Sequence, residues 1–127
     1  MDLKIKILIV DDITSMRKIV TDSLFQIGYT NLIEAKDGET ALKTLKLNNI
    51  DLILCDWNMP KMSGIELLKT LRKDEKLKDT PFIMITAEGR KENILEAIKE
   101  GVNNYIVKPF NTEALKTKIE TVFQSKK

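Results

Sequence analysis

Ile7, Leu8, Ile9 and Val10 form an unbroken β-rich apolar run that stops abruptly at Asp11 and Asp12. A continuous run, as opposed to an alternating one, marks a strand buried on both faces, and it predicts a strand over residues 5–10. Beyond it, Ile13, Met16, Ile19, Val20, Leu24 and Ile27 recur at helical spacing, with Thr14 placed to cap the helix and Gly28 to end it. The alternation repeats four more times. It predicts strands over 32–35, 52–56, 82–86 and 105–108, followed respectively by helices over 39–47, 65–72, 91–100 and 112–123. Strands alternating with helices of this length require crossover connections, hence a parallel sheet with helices on both faces: a doubly wound α/β fold. No linker, repeat or low-complexity tract interrupts the series. The charged stretch 69–78 mixes both signs and reads as a solvated helix end and loop, and Lys126 and Lys127 as a frayed tail.

Composition narrows the picture. A chain of 127 residues with 43% hydrophobic content suits one domain around one core. Its 21 Lys and Arg against 19 Asp and Glu leave a net charge of +2 without a basic block, so nothing points to nucleic acid. No apolar run approaches the roughly 18 residues a membrane span needs. Residues 1–4 lead straight into a strand instead of a signal-peptide core, so a cytoplasmic protein with no membrane association is expected. Cys55 is the only cysteine and cannot form an internal disulfide; it reads as a buried core thiol in a reducing compartment.

Open α/β sheets bind ligands beyond the carboxyl ends of their strands, near the point where strand order reverses. The residues at those ends are Asp11 and Asp12, Asp56, Thr86 and Lys108. Two carboxylates about 5 Å apart repel by roughly 3 kcal/mol at an effective dielectric of 20, so three converging ones need a cation. An all-oxygen set in a chain without histidine favours Mg²⁺ over zinc or copper. A carboxylate beside such a metal can also act as a nucleophile and carry a phosphoryl group. Asp56 is best placed for that, at the end of a buried strand and the start of the loop 57–64. Asp11 and Asp12 are then left as metal ligands, Lys108 pairs with Asp56 or with phosphate, and Thr86 offers a hydroxyl to a phosphate oxygen. A cis bond between Lys108 and Pro109 would aim the lysine back at the pocket.

Together, Asp11-Asp12, Asp56 with Met59-Pro60 and Gly64, Thr86-Ala87 and Lys108-Pro109-Phe110 resemble the receiver family of response regulators over nearly the whole chain. Trp57-Asn58-Met59-Pro60, Lys91-Glu92-Asn93-Ile94, Tyr105 and Val107-Lys108-Pro109-Phe110 are similar to the chemotaxis regulators in particular. The resemblance implies a flavodoxin-like sheet of five parallel strands in the order 2-1-3-4-5 with five helices. It also implies a single receiver domain over residues 1–127, monomeric and with no output domain. A chemotaxis histidine kinase would supply the phosphoryl group, and the protein would assist its own phosphorylation and dephosphorylation without being an enzyme. The backbone carbonyl of Asn58 would join Asp11, Asp12 and Asp56 around Mg²⁺, and Asn58 and Glu88 would tune phosphoaspartate hydrolysis. Thr86 and Tyr105 would move together on activation and alter a face carrying Lys91, Ile94, Ile98, Tyr105 and Lys118. That face suits an acidic amphipathic peptide, with the flagellar motor switch protein as the implied partner and a phosphatase as an optional one. The chain departs from the family pattern at Ser63, where an acidic or amide residue is frequent, and at Gly89-Arg90, where Ala-Lys is usual.

Other readings share parts of this chemistry. A single-domain phosphorelay intermediate would use the same pocket and pass the group to a histidine phosphotransfer protein. An aspartate-nucleophile phosphohydrolase also places carboxylates and Mg²⁺ at strand ends, but residue 58, two after Asp56, is Asn and offers no acid. A flavin-binding electron carrier shares the fold, yet the acidic pocket mouth would repel the FMN phosphate.

Overall fold

The computed structural model describes residues 2–87 and 91–124, with only the backbone of Lys91. Five strands, β1 (Ile7–Val10), β2 (Leu32–Ala35), β3 (Leu52–Asp56), β4 (Phe82–Thr86) and β5 (Asn104–Val107), alternate with five helices. These are α1 (Thr14–Ile27), α2 (Gly38–Leu47), α3 (Gly64–Arg72), α4 (Lys91–Lys99) and α5 (Thr112–Gln124). All neighbouring strands pair in parallel, in the order β2-β1-β3-β4-β5.

The three central strands are buried along their whole length, which is why their sequences read as continuous apolar runs. Alternate residues divide between two cores. Leu8, Val10, Ile53, Cys55, Phe82 and Met84 face α2, α3 and α4, where they meet Ala41, Leu67, Leu68 and Ala97. Ile7, Ile9, Leu52, Leu54, Ile83 and Ile85 face α1 and α5, where they meet Val20, Leu24, Leu115 and Ile119.

Helices α2 to α5 each depart by one residue at one end from the sequence reading, and three further details differ. First, β1 starts at Ile7, because Ile5 and Lys6 are only half-buried and precede the ladder. β5 runs from Asn104 to Val107, one residue earlier than the apolar pattern suggested, and leaves Lys108 just past its end. Thr14 does not cap α1 either. The cap position is Ile13, whose side chain has nothing to donate or accept, and Thr14 is already helical. Gly28 does end α1, at φ 121°, and its N–H bonds the carbonyls of Leu24 and Phe25. Among the described residues, no helix is long and apolar enough to cross a membrane.

Candidate functional site

The reversal of strand order sets the carboxyl ends of β1 and β3 side by side, with Val10 in register with Cys55. Asp11 follows Val10 directly, and Asp56 closes β3. With Asp12 they form a cluster in which one carboxylate oxygen of each lies within 4.8 Å of the others. Asp11 and Asp56 are 3% and 6% exposed, whereas Asp12 faces solvent.

Lys108 reaches this corner because β5 pairs Val107 with Thr86. The Lys108 N–H donates to the Thr86 carbonyl at 2.8 Å, and the Lys108–Pro109 peptide bond is cis. The ammonium donates to Asp56 Oδ1 at 2.8 Å and stands 3.8 Å from Asp11 Oδ2. Thr86, buried at the end of β4, follows Ile85, the residue in register with Asp56. All five strand-end residues singled out from the sequence therefore belong to neighbouring strand ends.

Burial raises Asp11 above the ordinary carboxylate pKa, and the charges of Asp56 and Asp12 add to the effect. The Ile13 N–H, bonded to Asp11 Oδ1 at 2.9 Å, and the charge of Lys108 oppose it. Among the described residues, one ammonium stands against the three clustered carboxylates, a negative excess that attracts a cation. The donor set is oxygen only. Burial pushes the neighbouring Cys55 thiol well up, with Asp56 and Asp11 adding to the shift, and its Sγ donates to the Asp56 carbonyl at 3.3 Å. A hard divalent ion of the Mg²⁺ kind fits these residues; a thiophilic one does not.

The loop after Asp56 is tied at both ends. The Trp57 N–H donates to Ile85 at 2.9 Å, and the Gly64 N–H to the Trp57 carbonyl at 2.8 Å. Met59 is buried and anchors the middle, while Asn58 is exposed and Lys61 takes a left-handed φ of 68°. Ser63 caps α3 in a reciprocal capping box with Glu66, which gives the departure from the family pattern a structural role. A cleft of about 670 Å³, lined by residues including Leu45, Leu47, Asp74 and Lys76, does not border the acidic corner.

On the far face, Tyr105 is half-buried and packs against the α2, α3 and α4 core, and Lys118 Nζ stands 4.9 Å from its ring centroid. Ile98 is 54% exposed and Ile94 half-buried. Leu95 and Val107, not singled out from the sequence, are exposed as well. Glu88, Gly89 and Arg90, like Lys126 and Lys127, lie outside the described residues, as does the side chain of Lys91.

The sequence model of the response regulator receiver domain matches residues 7–120. The chain belongs to that receiver family. This receiver domain is 51% identical over 119 residues to chemotaxis protein CheY of Pseudomonas aeruginosa, covering 94% of this chain and 96% of that protein. It is 53% identical over 119 residues to CheY-3 of Vibrio cholerae, covering 94% and 92%. The solved structure of Vibrio cholerae CheY4 matches with a TM-score of 0.87 at 37% identity, over 94% of this chain and 98% of that one. The receiver domain is thus a CheY-like response regulator, a signalling protein.

Proposed function

We propose that this receiver domain takes a phosphoryl group from a chemotaxis histidine kinase onto Asp56, with Mg²⁺, and in that form binds the flagellar motor switch in the cytoplasm. The observation that carries the reading is the corner itself: Asp11, Asp12 and Asp56 within 4.8 Å, with the Lys108 ammonium on Asp56. Asp11, Asp12, Asp56 and the Asn58 carbonyl would hold the ion, which when bound screens charge between the acidic corner and the phosphoryl oxygens.

An Asp56 carboxylate oxygen attacks phosphorus, the bond from phosphorus to the donor nitrogen breaks, and its electron pair stays on the departing imidazole. Lys108 pairs with the carboxylate before transfer and with a phosphoryl oxygen after it. Thr86 donates its hydroxyl to another of those oxygens. The new charge, about −1.5 to −2, draws Thr86 towards the pocket, and Tyr105 follows into the space it leaves. That remodels the face of Lys91, Ile94, Ile98, Tyr105 and Lys118, on which an acidic amphipathic segment of the switch protein docks. Asn58 and Glu88 set how quickly water removes the phosphoryl group, with or without a phosphatase.

The test is transfer of labelled phosphate from kinase or small phosphodonor to wild type and to Asp56→Asn. Undiminished labelling of the variant rejects Asp56 as acceptor. Binding of a motor-switch peptide only to the phosphorylated form supports the output assignment; onward transfer to a histidine phosphotransfer protein, without peptide binding, would replace it with a relay role.

A further inference from the structure

The junction between β1 and α1 carries two of the three clustered acids, yet α1 starts on Ile13 without a side-chain cap. Mutual repulsion among Asp11, Asp12 and Asp56 pushes this junction outward. Arg17, at the end of the first turn of α1, opposes that push. Its Nη1 donates to the Asp11 carbonyl at 2.6 Å, its Nε to Glu34 Oε1 on β2 at 3.0 Å, and its Nη2 to Thr14 Oγ1 at 3.4 Å. The Arg17 side chain is only 14% exposed, whereas Glu34 is 50% exposed. One planar fork therefore ties the end of β1 to α1 and to the neighbouring strand, a geometry that a single ammonium cannot reproduce.

We infer that Arg17 is a positioning residue for the metal site: it touches no ligand oxygen of the cluster but fixes the backbone from which Asp11 and Asp12 project. The inference rests on the reading of that cluster as a Mg²⁺ site. It makes a prediction whose sign separates it from simple electrostatics. Arg17 is a cation near an acidic corner, so by charge alone its removal would tighten Mg²⁺ binding. As a positioning residue its removal weakens binding, because the acids lose their set spacing. Loss of partners that hold metal-ligating groups in place costs about 10- to 100-fold in affinity.

The experiment is a MgCl₂ titration of wild type, Arg17→Gln and Arg17→Lys at fixed ionic strength. It is followed by the fluorescence of Trp57, the sole tryptophan and the neighbour of Asp56. Circular dichroism checks that each variant is folded. Expected are a roughly tenfold higher dissociation constant for Arg17→Gln and an intermediate one for Arg17→Lys, which keeps the charge and loses the fork. Binding by Arg17→Gln as tight as wild type, or tighter, overturns the inference. If that variant does not fold, Arg17→Lys decides alone: weaker binding supports positioning and unchanged binding overturns it. Absence of Mg²⁺ binding by wild type would instead sink the functional reading on which the inference stands.

Discussion

Gly64 lies so close to Asp56 that a methyl group on its Cα would overlap the Asp56 carbonyl oxygen and come within 3.0 Å of the Trp57 Cα. Those are main-chain atoms and cannot rotate aside, unlike the Met84 Sδ that the same methyl would meet at 2.8 Å. The first residue of α3 is thus pressed against the acceptor strand, and only glycine leaves room. Gly64→Ala must push α3 away from β3, at a cost of about 1–3 kcal/mol. Urea denaturation should show a lowered midpoint, and folded protein should take phosphate from a small phosphodonor more slowly. An unchanged midpoint would mean that the loop absorbs the methyl.

Lys108 gives a prediction opposite in sign to that for Arg17. Its ammonium contacts Asp56 and Asp11 themselves, at 2.8 and 3.8 Å, so it competes with a cation for the same oxygens. Lys108→Met should tighten Mg²⁺ binding by roughly fivefold, equivalent to ~1 kcal/mol of relieved competition. Without metal the variant should be less stable than wild type, since three acids then lack their counter-charge, and excess MgCl₂ should restore the loss. Thermal melts with and without MgCl₂, beside the Trp57 titration, check both effects.

How far the sequence could be read follows from where each residue finds its partners. β3 and β4 were legible to the residue because their apolar runs end in polar residues, Asp56 and Thr86, that also end the ladder, and β2 because Ala35 is followed at once by the charged Lys36. β5 was not, because its first ladder residue is the polar Asn104. At α1, Thr14 has the chemistry of a cap but sits one residue inside the helix, whereas Ser63 and Glu66 form a capping box whose spacing is readable in the sequence. Asp11, Asp56 and Lys108 could be named in advance because strand ends are where such folds place chemistry. Arg17 could not, since it bonds a main-chain carbonyl and a residue on another strand, and no spacing pattern encodes either.

Tyr29 sets a pH dependence at the alkaline end. Its ring is fully buried beside α1 and α5, and its hydroxyl has no hydrogen-bond partner in the structure. Burial, with Glu120 and Asp2 adding to it, pushes its pKa up to about 12 from 10.0. The folded state therefore holds the phenolic proton more tightly than the unfolded chain. The resulting stabilisation is complete below pH about 10 and is lost as pH rises towards 12. Tyr29→Phe should remove that decline and, by deleting an unpartnered polar atom, raise stability at neutral pH by about 1 kcal/mol. Urea melts at pH 7 and across pH 9–11 test both; a Phe variant that still loses stability in parallel with wild type would assign the decline to other groups.

Arg72 shows how the other end of the molecule is held. The stretch around it reads as a solvated helix end, but its guanidinium is half-buried and has all its directions used. Nε and Nη2 donate to the Gly101 carbonyl at 3.0 and 2.9 Å, and Nη1 to the Lys78 and Thr80 carbonyls at 3.1 and 2.8 Å. Nη2 also donates to Asn103 Oδ1 at 2.9 Å, and that oxygen accepts from the Phe82 N–H at 2.8 Å. One side chain thus joins the end of α3, the loop into β4 and the turn from α4 to β5. A lysine could satisfy one or two of these acceptors, so Arg72→Lys should cost about 2–4 kcal/mol. The loss should be local. Hydrogen exchange should accelerate at the amides of Phe82 and Asn103 while the Trp57 and Gly64 amides beside Asp56 keep their protection. This clamp joins elements at the amino ends of β4 and β5, opposite the acidic corner. Equal acceleration at both ends would show that the substitution lowers the stability of the whole fold instead of opening one end of the sheet.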